Sequence, residues 1–300
     1  MVPLQQSPQI LTSDSFLAHL HKVAHAVEEV LETLLPPPTS RLHEAMRYSV
    51  LGGGKRLRSF LVWESCQLFN VPLQETLHTA AAIEFIQAYS LVHDDLPSMD
   101  NANFRRGKPS CHKTFGEATA ILVGDALIPL AFQTLVSLNT SADIRLTLIE
   151  NLSRTIGSDG LVAGQMRDLG QEKSCHTEQD LRDLQRLKTG LFFAFASESG
   201  AILGKASSQE RDALREYGFL FGQAFQMIDD LLDGCGSQEA IGKPIHQDAS
   251  KLTFFSLLGP DLLYKKTEAT LEEAIAALSL FQGRASLLKD AALYALTRKR

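Results

Sequence analysis

The chain has 300 residues with 29 basic and 35 acidic side chains, a net charge of −6 and a hydrophobic fraction of 44%. That hydrophobic content is ordinary for a protein with a substantial core, and the acidic balance argues against nucleic-acid binding or a polybasic membrane patch. The four cysteines are widely separated and form no CxxC pair. Neither a structural zinc site nor a disulfide framework is therefore expected.

The amino-terminal residues 1–13 lack a basic stretch followed by an apolar one, so no signal peptide is expected there. No uncharged apolar run reaches the roughly 18–20 residues that a membrane span needs. These observations favour a cytoplasmic protein without stable membrane insertion.

Helical periodicity dominates the sequence and hairpin signals are nearly absent, so an all-α fold is expected. Pro36-Pro37-Pro38 ends the first helix. Connections are short and no linker or repeat stands out, so residues 1–300 are expected to form one domain of about ten to twelve helices. In chain order, the predicted helices are 15–35, 43–51, 57–69, 77–96, 116–138, 141–156, 177–198, 209–233, 253–258, 262–281 and 284–297.

A first cluster of aspartates, Asp94, Asp95 and Asp100, stands at the end of an apolar helix. Because Pro97 should break this helix, we expect Asp100 to return toward Asp94 on a turn. One acidic motif of this kind could simply be a solvated helix end.

A second cluster, Asp229, Asp230 and Asp233, ends another apolar helix. Residues three or four apart share a helix face, so Asp229 and Asp233 should project together, with Asp230 beside them and Gln226 one turn earlier. Neither cluster has the alternating ligands of a calcium-binding loop. Two dense carboxylate groups on apolar helices need a counter-charge, and hard oxygen ligands suit Mg²⁺ bridged to substrate phosphates.

Basic segments alternate with these acidic clusters. Glycine-rich segment 52–58 places cations at a probable helix start, where backbone N–H groups also favour anions. Each segment alone could be a solvated face, but their alternation with the aspartates favours a diphosphate site. The basic segments are GGGKRLR at 52–58, RRGK at 105–108, KTG at 188–190, and Lys243 with Lys251.

These motifs resemble the trans-prenyl diphosphate synthases, in particular the bacterial farnesyl diphosphate synthases, from about Leu51 to Gly259. The resemblance implies an antiparallel helix bundle around a deep central apolar cavity, usually in a homodimer. It also implies an enzyme that condenses isopentenyl diphosphate with an allylic diphosphate through an allylic carbocation. The motifs that carry it are GGGKRLRSFL, AYSLVHDDLPSMDNANFRRGKPSCHKTFGEATAILVGDAL, LKTG and FGQAFQMIDDLLD.

The resemblance also implies roles for individual residues. Three Mg²⁺ ions are expected, two on Asp94 and Asp100 with Asp95 in support, and one on Asp229 with Asp230 and Asp233 nearby. Arg105, Lys188 and Lys243 would hold the allylic diphosphate, and Gly54, Lys55, Arg58, Gln87 and Arg106 would hold isopentenyl diphosphate. Thr189 and Gln226 would steady the carbocation with their oxygen dipoles, and Lys251 would close over the site.

Several positions depart from the common bacterial pattern. Gln87 stands where His is frequent, Asn101 and Asn103 replace acids, and Ser59 replaces a usual proline. SKLTFF at 250–255 stands where GKxTYP is usual, so this loop is expected to close differently.

In the trans-prenyl diphosphate synthases that this chain resembles, product length depends on which side chains fill the cavity below the first aspartate cluster. Tyr89, next to Ser90, lies five residues before Asp94, about 7.5 Å along a helix. An aromatic ring there resembles farnesyl synthases and would limit the product to C15. The alternative is that Tyr89 is simply a core residue, and geranyl or geranylgeranyl products stay open.

Two other classes compete with this interpretation. A terpene cyclase shares the fold and the first motif, but it usually carries a different second motif and lacks the KRLR segment. A non-catalytic partner subunit typically loses one aspartate cluster, whereas both are present here, and only the SKLTFF loop favours that reading. A purely structural helical scaffold would leave the six aspartates unexplained.

Overall fold

The structure is a computed structural model, and it describes residues 14–170, 177–235 and 252–297. Helices account for most of these residues, and two short strands form one antiparallel hairpin. In chain order the elements are α1 (Asp14–Leu34), α2 (Arg41–Val50), α3 (Leu57–Leu68), α4 (Leu73–Asp94), β1 (Phe104–Arg105), β2 (Lys108–Pro109), α5 (Cys111–Phe115), α6 (Glu117–Val136), α7 (Ala142–Ile156), α8 (Leu161–Asp168), α9 (Glu178–Gln185), a π-helical turn (Arg186–Gly190), α10 (Leu191–Leu203), α11 (Ser208–Cys235), α12 (Phe254–Ala277), a 3₁₀ segment (Leu278–Ala285) and α13 (Ser286–Thr297).

Several helix starts follow from capping residues in the sequence. The Ser40 hydroxyl accepts a hydrogen bond from the N–H of His43 and caps α2. Thr177 and Thr253 form capping boxes at the starts of α9 and α12. These side chains satisfy N–H groups that have no partner within the helix, so they fix where each helix begins.

Helices α3 and α10 lie at the centre of the bundle. Nearly every side chain of α3 is buried, and α10 is buried continuously from Phe192 to Leu203. A helix buried on all sides needs other helices around it. Accordingly, α10 packs on α3, α7 and α11, and α4 packs on α3 and α6. One hydrophobic cluster connects residues from Phe16 to Ala295, and the predicted all-α bundle is confirmed.

Most predicted helices are present within a few residues, but two features differ. The helix predicted over 177–198 is divided by the π-turn. The sequence does not predict the hairpin, α5 or α8, because each is too short to show a periodic pattern. The two helices predicted at 253–258 and 262–281 are both present within α12, and they meet at a kink where Gly259 has a non-helical φ of 70° and precedes Pro260.

Helix α6 is the one helix in the described ranges with the length and apolar composition of a membrane span. Ala120, Val123 and Leu127 are nevertheless buried in the core, where α6 packs against α4. Ile121 and Leu122, on another face, are 45% and 55% exposed. Helix α6 is therefore part of the bundle, with an apolar strip left uncovered.

Candidate active site

The chain turns back immediately after Asp94, the last residue of α4. The N–H of Asp100 donates to the carbonyl oxygen of Asp94 at 2.9 Å, and the N–H of Ala102 donates to that of Asp95 at 3.2 Å. The turn expected at Pro97 is present. It brings the backbone of the third aspartate to the end of α4.

Asp95 is buried and bound by Arg105 from strand β1. The Arg105 Nε lies 3.1 and 3.2 Å from the two carboxylate oxygens, and its Nη2 also donates to Asp95. Burial raises the pKa of Asp95, and the hydrogen bonds from Arg105 oppose that shift. A guanidinium carries five N–H donors, so Arg105 retains donors for a ligand while it holds Asp95.

Asp94 shares its surroundings with a carboxylate that the sequence analysis missed, Asp168 at the end of α8. Burial raises the pKa of Asp94 to about 6, the charges of Asp100 and Asp168 add to the shift, and Lys188 and Arg105 oppose it. The Lys188 ammonium donates to Asp168 Oδ2 at 2.7 Å. Three carboxylates and two cations therefore share one charged cluster.

The contact between α8 and the π-turn depends on Gly164. A Cβ atom there would overlap the backbone of Lys188, so only glycine allows this approach. The sequence does carry a signal for the missed residue. In GQMRD at 164–168, Gln165 and Asp168 are three residues apart and share a helix face.

A cavity of about 740 Å³ lies between α4, α10, α11 and the glycine-rich loop. A smaller cavity, of about 110 Å³, lies at the π-turn. Gln226 lines both of them. Predicted residues lining the larger cavity are Gly54, Lys55, Arg58, Gln87, Arg105, Arg106, Gln226, Asp229 and Asp233, and those lining the smaller one are Asp100, Lys188, Gln226 and Asp230, together with Asp168.

Arg58 is stacked on aromatic rings at the wall of the larger cavity. Its guanidinium carbon lies 4.0 Å from the ring centroid of Phe193 and 5.1 Å from that of Phe192. Burial lowers the pKa of Arg58 to about 10, so it remains charged at neutral pH. Its buried Nε has no hydrogen-bond partner among the described residues. A fixed guanidinium with a donor to spare suits an anionic ligand.

The glycine turn lets several cations converge on this cavity. Gly54 has a φ of 126°, and a Cβ atom there would lie 2.9 Å from the guanidinium carbon of Arg106. The Arg106 Nη1 donates to the carbonyl oxygen of Gly53. Lys55 lies with its Nζ 5.5 Å from the ring centroid of Tyr294, so α13 also contributes to the site.

A buried ion pair supports the same turn. The Arg56 Nη1 donates to Glu84 Oε2 at 2.6 Å, and the two side chains are 1% and 3% exposed. The Ser59 hydroxyl donates to the other Glu84 oxygen at 2.6 Å, so the residue that replaces the usual proline has a partner here. Arg56 has a φ of 51°, an uncommon conformation outside glycine that the pair holds in place.

The remaining predicted residues fall in three groups. Thr189 is buried in the π-turn. Lys243 and Lys251 lie outside the described residues. Tyr89 and Ser90 are buried, and neither is among the residues that line the larger cavity.

Five residues turn an α-helix by about 500°, so Tyr89 lies about 140° around α4 from Asp94. The Tyr89 ring contacts His93 edge-on at 5.5 Å between centroids. The His93 Nε2 lies 3.0 Å from the carbonyl oxygen of Ile121, so Tyr89 shares the face of α4 that meets α6.

Residues 39–285 match the protein-family model described as polyprenyl synthetase. The chain belongs to the polyprenyl synthetase family. It is therefore a prenyltransferase-family protein of isoprenoid biosynthesis, as the sequence motifs predict.

Three relatives of this chain illustrate the similarity. Farnesyl diphosphate synthase of Geobacillus stearothermophilus is 42% identical over 241 residues, which cover 79% of this chain and 80% of that protein. Geranylgeranyl diphosphate synthase of Cyanophora paradoxa is 37% identical over 292 residues, 95% of each chain. A crystal structure of an FPP/GFPP synthase from Zymomonas mobilis matches with a TM-score of 0.85 and 41% identity, covering 94% of this chain and 99% of that one. Their named products differ, so family membership leaves product length open.

The donor atoms of the site are compatible with Mg²⁺ bound together with a diphosphate. No three carboxylate, His or Cys groups within the described ranges stand close enough to hold an ion by themselves. Asp94, Asp100 and Asp168 nevertheless supply hard oxygen atoms, and the buried Gln185 Oε1 at the smaller cavity lacks a partner among the described residues. Mg²⁺ usually keeps waters and takes phosphate oxygens as ligands, so it does not need a complete set of protein ligands.

The raised pKa of Asp94 predicts that cation binding weakens in acid. At pH 5, one unit below a folded pKa of about 6, a proton occupies Asp94 in roughly nine of ten molecules and would compete with a cation bound there. We expect the Mg²⁺ affinity measured by calorimetry with inorganic diphosphate present to fall about tenfold between pH 7.5 and pH 5. The Asp94→Asn variant is the control, and it should lose this part of the pH dependence.

The raised pKa of Asp94 affects the stability of the fold in the opposite direction, because acid that weakens cation binding stabilises the metal-free protein. The folded pKa of Asp94 lies above its unfolded value of 3.8, so the folded state takes up the proton first as pH falls. On account of this group, the metal-free fold should become more stable between about pH 6 and pH 4. A metal affinity that is equal at pH 7.5 and pH 5 would contradict the assignment of Asp94 to the cation site.

Proposed function

We propose that this protein is a Mg²⁺-dependent enzyme that condenses isopentenyl diphosphate with dimethylallyl or geranyl diphosphate to give farnesyl diphosphate. The observation that carries the proposal is the larger cavity, where Asp229 and Asp233 of α11 face cations of the glycine-rich loop and the hairpin. In this reaction two diphosphate groups must lie side by side. Such a site needs both carboxylates, which bind phosphate through metal ions, and basic side chains, which bind it directly.

The reaction requires no nucleophilic side chain. Bound Mg²⁺ supplies positive charge that neutralises the departing diphosphate. The allylic C–O bond breaks with its electron pair on the diphosphate, and the double bond of isopentenyl diphosphate attacks the resulting allylic cation. A proton is then lost to the released diphosphate. Lys188 and Arg105 hold the departing group, while the oxygen dipoles of Thr189 and Gln226 stabilise the cation.

Isopentenyl diphosphate is proposed to bind through Lys55, Arg58 and Arg106, with Gln87 beside them. The support is geometric: all four side chains line the same cavity, and the Arg58 Nε has no partner among the described residues. The phenyl groups under Arg58 also exclude water from the nearby reacting carbons, which protects a carbocation from hydrolysis.

The test is incubation of the purified protein with Mg²⁺, isopentenyl diphosphate and each of the C5, C10 and C15 allylic diphosphates, followed by separation of products by chain length. We expect Mg²⁺-dependent product that stops at C15. Product that continues to C20, or stops at C10, would assign a geranylgeranyl or geranyl diphosphate synthase instead. A folded protein that condenses none of the starters would support a non-catalytic partner subunit.

Tyr89 is proposed to set the product length, as a phenol ring five residues below Asp94. The Tyr89→Ala variant removes the ring about 1.4 turns of helix below Asp94, so we expect C20 product in place of C15. The matched control is Tyr264→Ala, because Tyr264 is 41% exposed on α12. An unchanged product distribution in Tyr89→Ala would make Tyr89 a core residue only.

We further propose a cytoplasmic homodimer. Ile121, Leu122 and Val136 of α6 are exposed apolar side chains, as is Leu146 of the following helix α7, and they support a contact with a second copy. Analytical ultracentrifugation measures the oligomeric state directly, and a monomer at micromolar protein concentration would exclude the homodimer.

A further inference from the structure

Asp230 lines a different cavity from the other two aspartates of its cluster. It is 9% exposed, and it lines only the smaller of the two cavities. Its Oδ1 accepts a hydrogen bond from Gln226 Nε2 at 3.1 Å, and its Oδ2 accepts one from the backbone N–H of Phe254 at 2.8 Å. Both carboxylate oxygens therefore bind donors of the protein itself.

The first of these contacts fixes the orientation of the Gln226 amide. A carboxylate only accepts hydrogen bonds, so the NH₂ group of Gln226 must be the end that meets Asp230. The amide oxygen is then left on the opposite side of the group, and Gln226 lines both cavities. A carbocation beside that oxygen would be stabilised by the negative end of the amide dipole, whereas an NH₂ group in the same place would oppose it.

The second contact fixes the start of α12. Phe254 is fully buried in a cluster with Leu181, Met227 and Leu263, and its N–H belongs to the first turn, where no intrahelical acceptor exists. Leu252 and Thr253, directly before it, line the smaller cavity. Asp230 therefore ties α11 to the segment that closes one wall of this cavity.

We propose that Asp230 is a positioning residue with two separable effects. It orients the Gln226 amide toward the reacting carbons, and it anchors the amino terminus of α12 beside the smaller cavity. The first effect rests on the proposed function, because it matters only if a carbocation forms there; the second is a property of the fold.

The Asp230→Asn variant separates the two effects. The Phe254 N–H is fixed in the backbone and can only donate, so the new asparagine must turn its oxygen toward it and its NH₂ toward Gln226. Gln226 can accept that hydrogen bond only after its amide flips, which places its NH₂ group in the site. We expect kcat to fall by about tenfold to hundredfold with both KM values within about threefold, and the Phe254 amide to remain protected from hydrogen exchange.

Two further variants complete the test. Asp230→Ala removes both acceptors, so the Phe254 amide should exchange much faster in the metal-free protein. The double variant Asp230→Asn with Gln226→Glu restores a donor–acceptor pair of reversed polarity and leaves an oxygen facing the site. It should recover at least about tenfold in kcat relative to Asp230→Asn alone.

Three outcomes would overturn the proposal. A rise in the Mg²⁺ concentration for half-maximal activity in Asp230→Asn, matching that in Asp229→Ala, would make Asp230 a metal ligand. A double variant no better than Asp230→Asn would remove the amide-orienting effect, and an unchanged Phe254 amide in Asp230→Ala would remove the anchoring effect. If the wild type condenses no allylic diphosphate, the proposed function fails, while hydrogen exchange still decides the anchoring effect.

Discussion

Replacing Asp94 by alanine is expected to lower kcat by a factor on the order of 10³ while the protein stays folded. Asp94 ends α4 at the centre of the charged cluster with Asp100, Asp168 and Lys188. In the proposed mechanism, the cation that would neutralise the departing diphosphate then lacks a ligand, and Lys188 alone cannot replace a divalent ion. Steady-state turnover of the C10 starter measures the loss.

The matched control is Asp143→Ala, which removes an exposed aspartate from the first turn of α7 and should leave kcat within about twofold. Thermal unfolding without metal adds a second reading. Because burial holds the pKa of Asp94 at about 6, its charged form opposes folding at pH 7, and Asp94→Asn should raise the Tm. Turnover within tenfold of wild type would remove Asp94 from the site.

Glu84→Ala is expected to cause the largest loss of stability, about 3–5 kcal/mol in the free energy of unfolding. The substitution leaves the Arg56 guanidinium charged, buried and without its main partner, and it takes the acceptor from the Ser59 hydroxyl. Against a total stability of about 5–15 kcal/mol, such a loss would be evident in urea denaturation.

Glu150→Ala is the control for this stability prediction. The Arg154–Glu150 pair has a similar distance, 2.6 Å, but its side chains are 76% and 59% exposed. An exposed pair four residues apart contributes about 0.3–0.5 kcal/mol to stability. Because the two ion pairs have the same distance, the difference between the two losses of stability measures the effect of burial. A Glu84→Ala loss below about 1 kcal/mol would show that the Arg56 charge finds water or another partner.

The features that could be predicted from sequence are those with a local pattern. The long apolar helices follow from periodicity, and Pro97 predicts the turn that returns Asp100 to Asp94. The spacing of Asp229 and Asp233 places both on one face of α11, and both line the larger cavity.

The features that could not be predicted depend on contacts between distant segments. Asp168 lies on a helix of eight residues, too short for its period to show, and reaches the site only because Gly164 lets α8 touch the π-turn. In the sequence, Glu84 is only a polar interruption of an apolar helix. Its ion pair becomes evident in the structure, where the Arg56 Nη1 lies 2.6 Å from the Glu84 Oε2. The sequence context of Asp230 gives no sign of the hydrogen bond that it accepts from the Phe254 N–H.

The π-turn at Arg186–Gly190 fixes a rotation between two parts of the bundle. Its hydrogen bonds run one residue further than those of an α-helix, which amounts to an extra residue, and one residue turns an α-helix by about 100°. If a residue were deleted there, α9 and α10 would join as one regular helix. The buried Leu181 and Leu184 of α9 would then be rotated by about 100° relative to α10, which is itself buried on all sides. The one-residue offset therefore determines which side of α9 faces inward.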